Sequence, residues 1–466
     1  MTLRFGAPCR FPAASSNLPR LVATGRFPRL RQGDTHAGYL PVNLKLRLIV
    51  MNFLQFYIWG AWLLTIGTWW FHTQHWSGTN FGAIFSTMGI ASLFMPSLAG
   101  IIADKWINAE RLYGLFQIAG AIVLFMVPLV DNPHLMFWVM LLNMIFYMPT
   151  ISLSIAVAYN ALKREGFDVV TVYPPIRVWG TIGFIAATWT VSLLGFESSA
   201  AQFHVAAAAS LLLGLYAFTL PRCPPQLDAT HSRGLADRLG LTSFVLFKDR
   251  NMAVFFIFAM LLGAALQLTN AYGDTFLRDF AKIPAYKDLL TVRYSAIIIS
   301  ISQFSETAFI LTIPFFLKRF GIKAVMTMSM LAWVLRFALF GFGNPADGLW
   351  MIVLSCIIYG MAFDFFNISG SLFVESQADP KIRASAQGLF MLMTNGVGAV
   401  LGSLIAGFAI DHFFTDRTCN DTVAICKDWH GIWLAFAAYS LIMALLFVPL
   451  FRHKHQLRPL QVLPTH

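Results

Sequence analysis

Apolar residues along this chain gather into twelve runs, each of roughly the length that crosses a bilayer as a helix, and polar residues collect between them. The runs cover residues 47–71, 81–103, 111–130, 135–158, 174–196, 202–220, 252–273, 293–316, 324–342, 349–373, 384–410 and 431–451. Backbone N–H and C=O groups find no water inside lipid, so each run must satisfy them internally as a helix. The pattern predicts an all-α integral membrane protein of twelve transmembrane helices. Three ionisable residues, Arg177, Glu306 and Asp364, interrupt these runs. A charge near mid-membrane costs about 2.5–3.5 kcal/mol on insertion scales, and such residues line polar cavities or transport paths. The chain therefore reads first as a transporter.

Helical spacing groups further residues around those charges. Arg177, Thr181 and Phe184 follow at i, i+4 and i+7 and form one stripe of the fifth helix, with Pro174 and Pro175 expected at its start. Gln267 and Asn270 are three apart on the seventh helix, and Gln303 and Glu306 repeat that spacing on the eighth. Tyr359, Phe363 and Asn367 align on the tenth, with Asp364 beside them. For the amides, hydrogen bonding between helices is the competing role. Arg336, a fourth charge in the ninth run, has no polar neighbour on its own face and is expected to form a structural ion pair or to snorkel. Gly396, Gly398, Gly402 and Gly407 are expected to let the eleventh helix pack closely.

Composition agrees with the membrane reading. Apolar residues make up 57% of the chain and charged ones 12%, against about 25% charged in soluble proteins; the mean hydropathy is +0.65. With the segment around Lys45 cytoplasmic, 19 Lys and Arg fall on the inner side and 6 in outer loops, which predicts both termini inside. The net charge of +11 reads as this bias, and no soluble basic domain is present to bind nucleic acid. A polar stretch over 221–251, opened by Pro221, Pro224 and Pro225, divides the helices into bundles over 42–220 and 252–452, followed by a tail over 453–466. Residues 1–41 are Arg-rich without the apolar core of a secretory signal. Because Val42-Asn43-Leu44-Lys45-Leu46 reads as a start, they are expected to be an extension foreign to the native chain and disordered.

No G-x-x-x-x-G-K-[ST] loop exists to hold ATP phosphates, so coupling to an ion gradient is the active option left. No H-E-x-x-H or G-x-S-x-G run suggests an enzyme, and neither the cysteines nor His72 and His75 form a metal pattern. Cys9, Cys223 and Cys356 are expected to be free, whereas Cys419 and Cys426 share an outer loop where a disulfide is open to them.

The run Gly100-Ile-Ile-Ala-Asp104-Lys105 resembles the loop signature of the major facilitator superfamily, transporters of two pseudo-symmetric six-helix bundles. Four further runs resemble the bacterial nucleoside:proton symporters: Phe53-Leu54-Gln55-Phe56, Pro174 to Thr181, Leu266 to Asn270, and Phe363 to Ser371. The resemblance extends from about Asn43 to the C-terminus. It implies proton-coupled nucleoside import across the bacterial inner membrane by a monomer embedded in lipid, with the proton gradient and no cofactor as energy source. An uncoupled facilitator and a symporter for another small polar solute, such as a sugar, are the rivals. Amides suit the edge of a nucleobase, aromatic rings its face, and a carboxylate or guanidinium the ribose hydroxyls. By resemblance Arg177, Thr181, Phe184, Gln267, Asn270, Gln303, Glu306, Tyr359 and Phe363 contact substrate or line its cavity. Asp364 is the first candidate proton carrier and Glu306 the second, with Arg177 a pairing partner for either. Asp104, Lys105 and Arg111, with Glu110, are expected to latch helices at the cytoplasmic face. Ala265 stands where some relatives carry an acid.

Overall fold

The computed structural model describes residues 41–225, 241–378, 383–416, 418 and 425–453. The expected extension before Pro41, most of the linker, the tail after His453, and Cys9 and Cys419 lie outside the described residues. Among the described residues the following helical segments carry the apolar runs. They are α1 (Val42–Gly60), α2 (Gly78–Lys105), α3 (Ala109–Met126), α4 (Pro133–Arg164), α5 (Val169–Leu193), α6 (Ala201–Ala217), α7 (Arg250–Asp279), α8 and α9 (295–320 and 322–342), α10 (Leu349–Gln377), α11 (383–413) and α12 (Trp429–Leu450). Among the described residues nine helices are long and apolar enough to cross a membrane, not twelve. The difference has three sources. α6 is short, α1 carries Lys45, Arg47, Asn52 and Gln55, and α8 and α9 follow each other so closely across the kink at Gly321 that they count as a single span.

The connection expected between the eighth and ninth runs, over 317–323, shrinks to a single residue, so that Arg336 of α9 comes back beside Ser302 of α8. The chain breaks its helix only at Gly321, whose φ of 79° is a left-handed conformation that glycine adopts without Cβ strain. Other ends follow ordinary capping. Asn132 accepts from the His134 N–H at 2.8 Å ahead of Pro133, and Asp249 accepts from the Met252 N–H at 2.8 Å, each satisfying a donor that the first turn leaves free. α5 begins at Val169, so Pro174 and Pro175 lie inside it rather than at its start. α7 continues past the expected end at Gly273 to Asp279, because its terminal acids find partners that keep the helix intact.

The first half, α1–α6, is held around Gln55. Its Oε1 accepts from Tyr113 at 2.7 Å and Gln117 at 2.8 Å, its Nε2 donates to Thr150 at 2.9 Å, and its backbone oxygen accepts from Tyr147 at 2.7 Å. In the second half, Arg336 is fully buried, which excludes snorkelling. It donates to the Ser355 carbonyl at 2.7 Å and to Ser302 at 3.4 Å, and its guanidinium lies 4.7 Å over the Tyr359 ring and 5.2 Å over Phe340. Carbonyl and ring faces thus take the place of the expected carboxylate partner.

Glycines set the closest helix contacts. A Cβ at Gly398 or Gly402 would overlap α7 at Met260 or Ala264, and one at Gly407 would overlap α2 at Gly78, as expected for these positions of α11. α1 and α5 approach in the same way, Gly60 against Phe184 and Gly183 against Phe53.

Candidate functional site

The α1–α5 contact builds the first wall of the central site. It places Phe56 of α1 beneath Arg177 of α5, with the guanidinium carbon 3.9 Å from the ring centroid. Gly180 leaves room for this stack, since a Cβ there would lie 2.5 Å from Arg177 Nη1 and 2.7 Å from the Phe56 ring. Arg177 and Thr181 are half-buried on one stripe, and Phe184 is buried. Tyr147 and Tyr173 are close enough to share the field of the Arg177 charge.

The facing wall comes from α8 and α10. The Tyr359 and Phe363 rings, one turn apart, are parallel to within 3° with centroids 5.8 Å apart. Trp333 of α9 meets Tyr359 edge-on at 6.0 Å, so α9 supports the ring from behind while Arg336 covers it. Gln303 and Glu306 are half-buried on α8. The Glu306 charge acts on Arg177 across the two halves and on Tyr359 and Asp364 within its own. Asp364 is 4% exposed, and its Oδ2 has no hydrogen-bond partner among the described residues. An ionised carboxylate in such a place is costly without a donor. Phe363 also lines a pocket with Leu266, Trp333, Asn367, Thr394 and Asn395.

Gln267 and Asn270 occupy different surroundings on α7. Asn270 is half-buried. Gln267 is 8% exposed and lines a small cavity against α2 and α11, bordered by Phe81, Phe85, Tyr272 and Ser403. The structure thus brings Arg177, Glu306, Tyr359, Phe363 and Asp364 within electrostatic or ring contact of one another and sets Gln267 in a separate cavity.

Asp104, Lys105 and Arg111 are exposed at the end of the helices that carries the termini. Glu110 is buried there and accepts from the Cys223 N–H at 2.8 Å and from Asn108 at 3.0 Å. At this terminal end Arg164 donates to the Arg222 carbonyl at 2.6 Å and Lys323 to the Val448 carbonyl at 2.8 Å, each within one half. Contacts between halves concentrate at the opposite end. Thr68 donates to Asp274 at 2.5 Å, His72 meets Asp279 at 2.9 Å, Arg278 faces Glu197 at 3.6 Å, and Asp411 accepts from the Gly78 and Thr79 N–H groups at 2.7 and 2.6 Å. Cys426 near this latched end is disulfide-bonded, while Cys223 and Cys356 are free.

A deeply placed cation facing acids and stacked rings, between two bundles latched at one end, is the architecture of an alternating-access carrier. The sequence matches the model of the nucleoside H+ symporter family over residues 42–456. The chain belongs to that family. It is 53% identical over 416 residues to the xanthosine permease of Escherichia coli (strain K12), covering 89% of this chain and 97% of that one. It is 50% identical over 415 residues to the nucleoside permease NupG of the same strain, again covering 89% and 97%. A crystal structure of the nucleoside transporter NupG superposes with a TM-score of 0.82 at 50% identity, over 89% of this chain and 100% of that one. A bacterial homolog of the lysosomal transporter Spinster, at 13% identity and a TM-score of 0.64, shares the fold alone. The fold is that of the major facilitator superfamily, and the chain is a membrane transporter rather than an enzyme.

Sequence reading of this family member missed Phe56 as a site residue and missed the latched end. Phe56 stands in a run quoted for its resemblance, but nothing singled out one ring among 44 Phe. Asp274, Arg278 and Asp279 follow directly on the apolar run that ends at Gly273, and i, i+4, i+5 spacing on a continued helix was the available signal.

Proposed function

We propose that the protein imports nucleosides together with protons across the bacterial inner membrane by alternating access. Its apolar segments make twelve crossings, and both termini lie in the cytoplasm. The observation that carries this reading is the central cluster: Arg177 on one half faces Glu306 on the other, next to the stacked Tyr359 and Phe363 and the unpartnered Asp364. Rings of this kind take the face of a base, and a guanidinium and a carboxylate take ribose hydroxyls. Gln267, Asn270, Gln303, Thr181 and Phe184 complete the binding surface. The names of the two relatives, at about half identity over most of the chain, support the substrate class.

Asp364 carries the proton in this scheme. A buried acid without a donor holds its proton in one conformation and gives it up where water or a cation reaches it. Glu306, within electrostatic reach of both Arg177 and Asp364, relays the charge state of one half to the other. With the termini in the cytoplasm, the latched end opposite them faces outside, which supports reading this conformation as closed toward the outside. The proton gradient supplies the energy, and no cofactor takes part.

Uptake of radiolabelled uridine and adenosine tests this in cells lacking their own nucleoside carriers, with and without a protonophore. Accumulation above the outside concentration that collapses with the protonophore is expected. Uptake that merely equilibrates and ignores the protonophore identifies an uncoupled facilitator. No nucleoside uptake by well-inserted protein overturns the substrate assignment.

A further inference from the structure

Two buried carboxylates share one guanidinium where the halves meet at the latched end. Glu197, in the connection from α5 to α6, is 2% exposed; Asp274 of α7 is 1% exposed. Arg278, one turn beyond Asp274, places Nη1 3.6 Å from Glu197 Oε2. Glu197 Oε1 accepts from Ser192 at 2.5 Å, and the Ala296 N–H at the start of α8 also donates to this carboxylate. Asp274 has both oxygens engaged, one by Thr68 at 2.5 Å and the other by Ser295 at 2.6 Å.

The neighbouring charges serve other partners. Asp279 holds His72 at 2.9 Å, Lys282 at 3.1 Å and the Trp429 indole N–H at 2.8 Å. Lys427 stands 4.1 Å over the Phe71 ring. Arg278 Nη1 also donates to the Val292 and Arg293 carbonyls at 3.1 and 3.0 Å. With both members of the Glu197–Asp274 pair ionised, one buried negative charge therefore has no cation of its own, which opposes closure.

We propose that Glu197 is a proton-binding site that controls closure of the latched end: protonated, it lets the two halves meet around Arg278, and ionised, it favours their separation. The inference rests on the reading of the chain as an alternating-access symporter and adds to it a second proton site, remote from Asp364. Burial, and after it the Asp274 charge, pushes the Glu197 carboxyl up to about 8 in the latched state. Once the halves part and water reaches it, the group returns to the ordinary Glu range near about 4.3. Between those two values the latched state binds a proton that the separated state does not. Acid therefore favours latching, and this support is lost as the pH rises through about 8. A proton arriving from this end closes the gate behind an entering substrate.

The test is a distance measurement on the full-length protein in liposomes. Spin labels are placed at Asn132→Cys and Asp347→Cys, exposed positions in the α3–α4 and α9–α10 connections of opposite halves, with the free cysteines replaced. Double electron–electron resonance then reads the latched population from pH 5.5 to 9.5. The short-distance population should fall with a midpoint near 8 in the otherwise native protein and stay high to the alkaline limit in Glu197→Gln. Glu197→Asp, which keeps the acid, should still titrate, and Asp274→Asn should move the midpoint to lower pH. A native population that does not change over this range, or a Glu197→Gln variant titrating with the native midpoint, overturns the proposal. Nucleoside binding on the same samples separates the two readings: a native titration without nucleoside binding sustains the proton site and counts against the substrate.

Discussion

Replacing Phe56 with leucine removes the surface on which Arg177 is stacked while keeping apolar volume on α1. The guanidinium carbon is 3.9 Å from the ring centroid, and Arg177 is half-buried. Cation–π contacts contribute about 0.5–1 kcal/mol when exposed and about 2 kcal/mol when desolvated, so roughly 1–2 kcal/mol of the positioning of Arg177 comes from this ring. If that positioning is spent on substrate, nucleoside affinity falls about 5- to 30-fold in Phe56→Leu. Phe56→Tyr, which keeps the ring, stays near native. A lysine at 177 keeps the charge but lacks the planar group that stacks on a ring. In the Arg177→Lys background the same Phe56→Leu change should therefore cost less than about threefold, a coupling that a double-mutant cycle isolates. The assay is equilibrium nucleoside binding to purified protein, with monodispersity checked for each variant. Binding by Phe56→Leu within twofold of native, or an equal loss in both backgrounds, refutes the idea that this ring holds the cation in place.

Gln55→Leu orphans the buried Tyr113 hydroxyl and the Gln117 amide, while the Tyr147 bond to the residue 55 carbonyl survives. At about 1–3 kcal/mol for each lost partner, thermal melting of the purified protein should show a destabilisation of roughly 2–6 kcal/mol. Gly183→Ala places a Cβ against the Phe53 backbone, and overpacking of this kind costs about 1–3 kcal/mol. It should lower both melting temperature and nucleoside affinity, because α1 and α5 carry Phe56 and Arg177. Asp364→Asn keeps the shape of a carboxyl without its titration, so nucleoside exchange between equal pools should persist while accumulation driven by a pH gradient is lost.

Hydropathy made the helices legible because lipid demands uninterrupted internal hydrogen bonding, and the runs of apolar residues record that demand directly. Their ends were less legible. Asp274 and Asp279 looked like the close of α7, yet both are on the helix and paired with groups from the other half. Gly321 looked like the centre of a loop, whereas one left-handed residue is enough to end α8 and start α9 beside it. The charges within the membrane marked the central site because their placement is costly. Arg336 carried the same signal and proved to be a support behind Tyr359, since carbonyls and rings can satisfy a guanidinium where no carboxylate is near. Phe56 and Glu197 gave no comparable signal: a ring among many rings and an acid in a connecting loop acquire meaning only from what the fold brings against them.

Coupled movement of nucleoside and proton through one protein is the central claim, and proton flux driven by nucleoside alone tests it most directly. Purified protein is reconstituted in vesicles holding a pH-sensitive dye, with no imposed gradient and with potassium and valinomycin to clamp the potential. Adding uridine outside should acidify the lumen in the native protein and leave it unchanged in Asp364→Asn. Entry of labelled uridine into native vesicles without any change in lumenal pH would contradict the account.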